Sequence, residues 1–138
     1  MSAPSDPWRP ALDALAALCA RWPGSEWTWD GRLPCAVSSF AAELAPEARA
    51  KLTPDFPSEW TGDTLASAPS TVAALARRCG GLREGQLLLC GDAVAGGLVF
   101  ALWWPWGDGS KVSVRIGIES AEHANGLTPR LREVFGAA

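Results

Sequence analysis

The chain has no tyrosine and one histidine, His123, so it is short of the side chains that most often move protons in catalysis. It also lacks grouped metal ligands. Its four cysteines, Cys19, Cys35, Cys79 and Cys90, lie 16, 44 and 11 positions apart, and none forms a C-x-x-C pair. A zinc site needs about four ligands at ligand spacing, and no such cluster is present. Neither G-x-G-x-x-G nor the P-loop pattern occurs, so no phosphate-cradling loop is expected. A basic surplus is missing too: the net charge is −3 and the pI near 5.1. The tight basic pairs, Arg77–Arg78 and Arg130 with Arg132, fall near predicted helix ends, where arginines complement the helix dipole. Nucleic-acid binding is therefore not expected. The longest apolar run, Leu98 to Trp104, is too short to span a bilayer, and the N-terminus shows no basic segment followed by an apolar one. Together these absences predict a cytoplasmic protein with no catalytic residues, no cofactor, no metal and no membrane partner.

What is present fits one domain of 138 residues, 48% hydrophobic and 20% charged, with residues 1–6 as a flexible tail. The cysteines lie in apolar or strand-like segments and read as buried thiols in a reducing compartment. The alternative is a secreted protein with two disulfides, for which no signal segment is visible. His123, in the polar run Glu119 to Gly126, reads as a solvated loop residue.

A first helix is predicted from Trp8 to Arg21, with Asp6 as N-cap and a stripe of Leu12, Leu15, Cys19 and Trp22. Pro23-Gly24 stops it. Glu26 to Trp29 reads as a strand with Trp27 and Trp29 on one face, and Asp30-Gly31 as a type I′ hairpin turn. A second strand follows at Cys35 to Phe40. Residues 41–52 read as a helix that Pro46 splits in two. Thr53 to Pro69, rich in Pro, Ser, Thr, Asp and Gly, reads as a long loop holding two apolar anchors, Phe56 and Trp60. It is predicted to be the most mobile ordered part of the chain. A helix capped by Ser70 or Thr71 runs to Arg78 and ends at Gly80-Gly81.

Three strands are predicted next: Gln86 to Cys90, left by a turn at Gly91-Asp92, then Gly97 to Trp104, then Lys111 to Ile118. The middle one is apolar at both parities and belongs inside the sheet, covered on both faces. The third alternates Val112, Val114, Ile116 and Ile118 with Ser113, Arg115 and Gly117, giving one buried and one more open face. A last helix is predicted with Thr128 as cap, Pro129 first and Gly136 as stop. The fold class is therefore α+β: a single antiparallel five-stranded sheet with helices on its faces, in the order α-β-β-(insert 41–68)-α-β-β-β-α.

The unusual feature is tryptophan, eight in all, at 8, 22, 27, 29, 60, 103, 104 and 106. Trp106 in a turn and Trp60 in a loop are the two expected at the surface, and exposed tryptophans favour interfaces. The plainer reading is that both fold back on their own loops.

Three segments resemble the roadblock (dynein light chain) family: the Trp27 to Ala36 hairpin turning on Asp30-Gly31, the Gly85 to Ile118 meander, and Ala124-Asn125-Gly126-Leu127 before the last helix. The insert at 41–68, a short second helix and the tryptophan content depart from that family. The resemblance implies a non-enzymatic homodimer that docks on a Ras-like GTPase or a scaffold. The family's matching strand and helix build its dimer, so Val72, Leu75, Leu87 and Leu89 become candidate contacts at a strand edge that nothing in the sequence guards. Phe56, Trp60 and Trp106 complete the candidate interface. In the other reading of 41–68, the insert covers that edge. The rival functions are a toxin-neutralising or other specific protein-binding factor of unrelated α+β fold, and a small-ligand sensor with tryptophans lining a pocket.

Overall fold

The computed structural model describes residues 6–24, 26–120 and 124–137, with the side chains of 124 and 125 excepted. The predicted tail (residues 1–5 of it) and His123 lie outside the described residues. Asp6 is not part of a loose tail, because its carboxylate pairs with Arg130.

The chain begins with α1 (Arg9–Arg21). Its cap position is Trp8 and not Asp6; Asp6 lies two residues earlier and accepts the Trp8 backbone N–H at 3.1 Å. Leu12, Leu15 and Leu18 are its buried stripe, with Cys19 and Trp22 half-buried beside it. Next come β1 (Thr28–Asp30) and β2 (Cys35–Ala41). The turn between them spans residues 31–34, so it is not the two-residue I′ turn predicted. Gly31 does not take a positive φ, and the Asp30 carboxylate closes the turn by accepting the Arg32 N–H at 2.9 Å. Pro46 does split the following segment, into a 3-10 turn at Ala42–Leu44 and α2 (Ala45–Leu52).

The sheet has six strands where five were predicted. The extra one is β3 (Ser58–Trp60), in the middle of the stretch read as loop. It is followed by α3 (Ser70–Arg78), β4 (Leu87–Val94), β5 (Gly97–Pro105), β6 (Lys111–Glu119) and α4 (Ala124–Phe135). Pro69, not Ser70 or Thr71, holds the cap position of α3. At its other end the Gly81 N–H bonds the Ala76 carbonyl and the Gly80 N–H the Arg77 carbonyl, with Gly80 at φ +91°. That is the Schellman closure that a left-handed glycine permits. The predicted turn at Gly91-Asp92 is instead a bulge: β4 shifts register there and runs on to Val94. The last helix starts at Ala124, so Pro129 sits inside it and not at its first position. Proline has no N–H, so the Asn125 carbonyl loses its usual i+4 donor.

All strands are antiparallel, in the order β1-β2-β6-β5-β4-β3. The sheet separates two cores. On the first face Ala36 and Phe40 of β2, Val112, Val114 and Ile116 of β6, and Val99, Ala101 and Trp103 of β5 pack against α1, α2 and α4. An aromatic cluster lies there, with Trp27 4.6 Å from Phe135 and 5.1 Å from Trp22, and Phe40 between Trp22 and Trp103. On the second face Leu88 and Cys90 of β4 and Leu98, Phe100 and Leu102 of β5 pack against Val72, Leu75, Ala76 and Cys79. The middle meander strand, β5, is thus covered on both sides, as its two apolar parities require.

Candidate functional site

The second face is only partly roofed. The strand β5 sends Phe100 over Gly117 of β6, where an added Cβ would come within 2.7 Å of the ring. Beyond that point, toward β2, the face holds Val37, Ser39 and Ala41 of β2 opposite Arg115, Ser113 and Lys111 of β6. Val37, Ser39 and Arg115 are half-buried, while Ala41 and Lys111 are exposed. Pairing of Trp104 with Ser113 puts Trp104 on the same face.

The turn after β5 then brings Trp106 back over the sheet. Its backbone N–H bonds the Lys111 carbonyl at 2.8 Å, and its indole Nε1–H donates to Ser113 Oγ at 2.9 Å. Ser113 Oγ also lies 2.7 Å from Ser39 Oγ. Even so Trp106 stays 44% exposed, the one large hydrophobic side chain that is open among the described residues. Lys111 Nζ stands 5.2 Å from its ring centroid.

Beside it, the Arg115 guanidinium lies 4.4 Å from the Trp104 ring centroid. Asp30 approaches both Arg115 Nε and Arg32 Nε at 3.7 Å. Burial by itself would raise the Asp30 carboxyl, but the Arg32 and Leu33 N–H donors and the two arginine charges outweigh it and hold it below its usual range. A pocket of about 310 Å³ forms between Asp30, Arg32, Leu33, Trp104 and Arg115. Two buried donors here, Trp104 Nε1 and Arg115 Nε, have no hydrogen-bond partner. Buried donors without acceptors are uncommon and unfavourable.

The residues proposed from sequence as an interface do not come together as one surface. Val72, Leu75, Leu89 and Phe56 are buried within the chain's own cores, Phe56 at 1% exposure. Leu87 and Leu89 face the first core, whereas Val72 and Leu75 belong to the second. The β4 edge that the sequence leaves unguarded is taken by β3, which pairs Ser58 with Cys90, Glu59 with Leu89 and Trp60 with Leu88. The insert thus covers the edge. Trp60 is half-buried against the second core, and the Arg49–Glu59 ion pair ties β3 to α2. Only Trp106 lies in the open region.

Sequence reasoning missed Trp104, Arg115, Arg32 and Lys111. The alternation along β6 pointed to an open face, but only the β5–β6 register brings Trp104 and Arg115 together. Elsewhere, burial pushes the Cys35 thiol up to about 12, the Cys19 and Cys90 thiols to about 11, and raises Cys79 too. Thiols held protonated in this way are poor nucleophiles. Among the described residues no group of three or more His, Cys, Asp or Glu could hold a metal ion, and no helix is long and apolar enough to cross a membrane. No family model matches the chain, and neither the curated proteins nor the solved structures offer a match.

Proposed function

We propose that this protein is a non-enzymatic protein-binding module whose partner docks on the open part of the second sheet face. The observation that carries this reading is the exposed Trp106 beside Arg115, whose guanidinium stacks on Trp104 in the neighbouring pocket. Tryptophan and arginine are the residues most enriched at binding hot spots. Three cations, Arg32, Lys111 and Arg115, stand here with two carboxylates, Asp30 and, in the Trp106 turn, Asp108, in a chain of net charge −3. The partner of matching chemistry presents a carboxylate to the Arg115 guanidinium and the cations beside it, and an apolar group that covers Trp106.

The roadblock resemblance supports a regulatory role, with a Ras-like GTPase or a scaffold as partner. A homodimer, which that resemblance also implies, needs a surface other than the β4 edge. Light scattering at micromolar concentration measures it.

The test has two stages. A partner captured by the wild-type protein is identified, purified and titrated into ¹⁵N-labelled protein. The amides of Trp104, Trp106, Ser113 and Arg115 should shift, and Trp106→Ala and Arg115→Glu should each weaken binding about tenfold or more. Shifts confined to the α1–α4 side, or full affinity in both variants, overturn the reading. Nucleotide binding by the purified partner decides whether it is a GTPase.

A further inference from the structure

A second cleft lies on the opposite side of the sheet, where α1 crosses the β4 bulge. Its walls are Pro10, Ala11, Ala14 and Leu15 of α1, the 54–56 turn, and Gly91, Asp92, Val94 and Val99, enclosing about 270 Å³. The bulge makes the space: the β4–β5 register breaks between Cys90 and Ala93, leaving Gly91 and Asp92 out of the ladder. Bulges commonly re-aim side chains in this way. The 54–56 turn is fixed from below, since the Asp55 and Phe56 N–H groups both bond the Leu52 carbonyl, at 3.2 and 3.0 Å. Gly91 permits the turn to approach, because a Cβ there would meet the Asp55 carbonyl at 3.0 Å.

Asp55 is therefore held by its backbone at the wall of the cleft. Its Oδ2 is buried and has no hydrogen-bond partner. Burial raises its carboxyl, and Arg21, at the end of α1, opposes that rise through space. A carboxylate oxygen buried without a donor is costly, and a cation brought to the carboxylate recovers much of that cost. The lining contains a second carboxylate, Asp92, and no cationic residue. A hard divalent ion wants six or more oxygen ligands, which two carboxylates do not supply. The volume lies just below the range of drug-sized ligand pockets, so a short chain is the suitable occupant.

We propose that this cleft binds an alkylammonium or alkylguanidinium group, its head between Asp55 and Asp92 and its stem along Ala11, Ala14 and Val99. The head can belong to a free amine or to a lysine or arginine side chain. The site is independent of the docking surface, so failure of either leaves the other standing.

Titration of the full ¹⁵N-labelled chain with n-butylamine hydrochloride tests it, with n-butanol as the neutral control. The amides of Phe56, Gly91 and Asp92 should shift saturably at roughly millimolar concentration, while butanol leaves them in place. Asp55→Asn should weaken binding about tenfold or more, as expected for losing a charge-assisted bond. Asp92, at an exposed position, gives a second variant, Asp92→Asn, with a smaller loss and no risk to folding. Repeating the titration with the peptide acetyl-Gly-Lys-Gly-amide separates the sources: shifts at the same amides assign the head to a protein side chain, and their absence to a small amine. The inference is overturned by shifts that do not saturate, that butanol reproduces, or that persist in Asp55→Asn.

Discussion

Neighbouring residues of the same strands meet opposite surroundings on the two faces of this sheet. Along β2, Ala36, Ser38 and Phe40 are buried beneath α1, α2 and α4, while Val37 and Ser39 between them remain partly open. Along β6, Val112, Val114 and Ile116 are core, whereas Lys111 and Arg115 reach solvent. The strands β4 and β5 carry apolar side chains into both cores, because α3 packs over them on the second face. The lesson is that polarity alternation records helix placement strand by strand: a strand loses its alternation where a second helix lies over it. The side left unroofed on β2 and β6 is the one that carries Trp106 and Arg115.

The largest expected effect comes from testing that contrast directly. Leu131 of α4 is 1% exposed on the covered face. Leu131→Ala should cost about 2–5 kcal/mol by urea denaturation, since it removes transfer energy and leaves a cavity. Val37→Ala on the open face should cost no more than about 1 kcal/mol, its side chain being half in water already. A cost for Val37→Ala as large as that for Leu131→Ala would mean that a further layer covers the second face.

A finer comparison uses the same bond on each side. Trp22 Nε1 donates to Ser38 Oγ at 2.9 Å on the covered face, and Trp106 Nε1 donates to Ser113 Oγ at 2.9 Å on the open one. Gly24 passes so close to the Trp22 donor that a Cβ there would lie 2.6 Å from it, and its acceptor Ser38 is buried. Ser38→Ala should therefore cost about 1–3 kcal/mol, the penalty for stranding a buried donor. Ser113→Ala should cost roughly 1 kcal/mol or less, because the exposed Trp106 can turn its N–H to water. Equal losses in thermal unfolding would show that Trp106 is as dry as Trp22.

Much of this architecture was readable from residues whose cause is local. Gly80 and Gly136 end their helices because each takes a positive φ, and for Gly136 the Ala137 N–H closes back on the Arg132 carbonyl. The double parity of β5 was legible because burial on both faces leaves no polar position along it. Features with a tertiary cause were not legible. Ser58-Glu59-Trp60 is too short to show a period, and it is a strand only because β4 offers it an edge. Pro129 marks a helix start in most sequences, and nothing local showed that the helix begins a turn earlier. As for the proposed docking surface, Trp106 was marked by its turn, whereas Arg115 meets Trp104 only through the register of the neighbouring strand.

The smallest effect lies at the tip of the doubly covered hairpin, where local and tertiary demands disagree. Val94 pairs with Gly97, so β4 and β5 are joined by two residues, Ala95 and Gly96. Both have positive φ, +47° and +82°, the combination of a type I′ turn, whose twist suits antiparallel strands. Glycine adopts this conformation freely, but an alanine Cβ crowds the following carbonyl at a cost of about 1–2 kcal/mol. Ala95 is the one non-glycine residue with positive φ among the described residues. The Gly91-Asp92 pair attracted the turn reading because its composition suits one, while the true turn opens on a residue that disfavours it. Asparagine tolerates the left-handed region and, unlike glycine, adds little freedom to the unfolded chain. Ala95→Asn should thus stabilise the protein by about 0.5–1 kcal/mol, a rise of a few degrees in Tm. Its side chain is exposed, so no packing change should offset the gain. A lower Tm would mean that the hairpin turns elsewhere, and with it that the Gly91-Asp92 bulge is not where β4 shifts register.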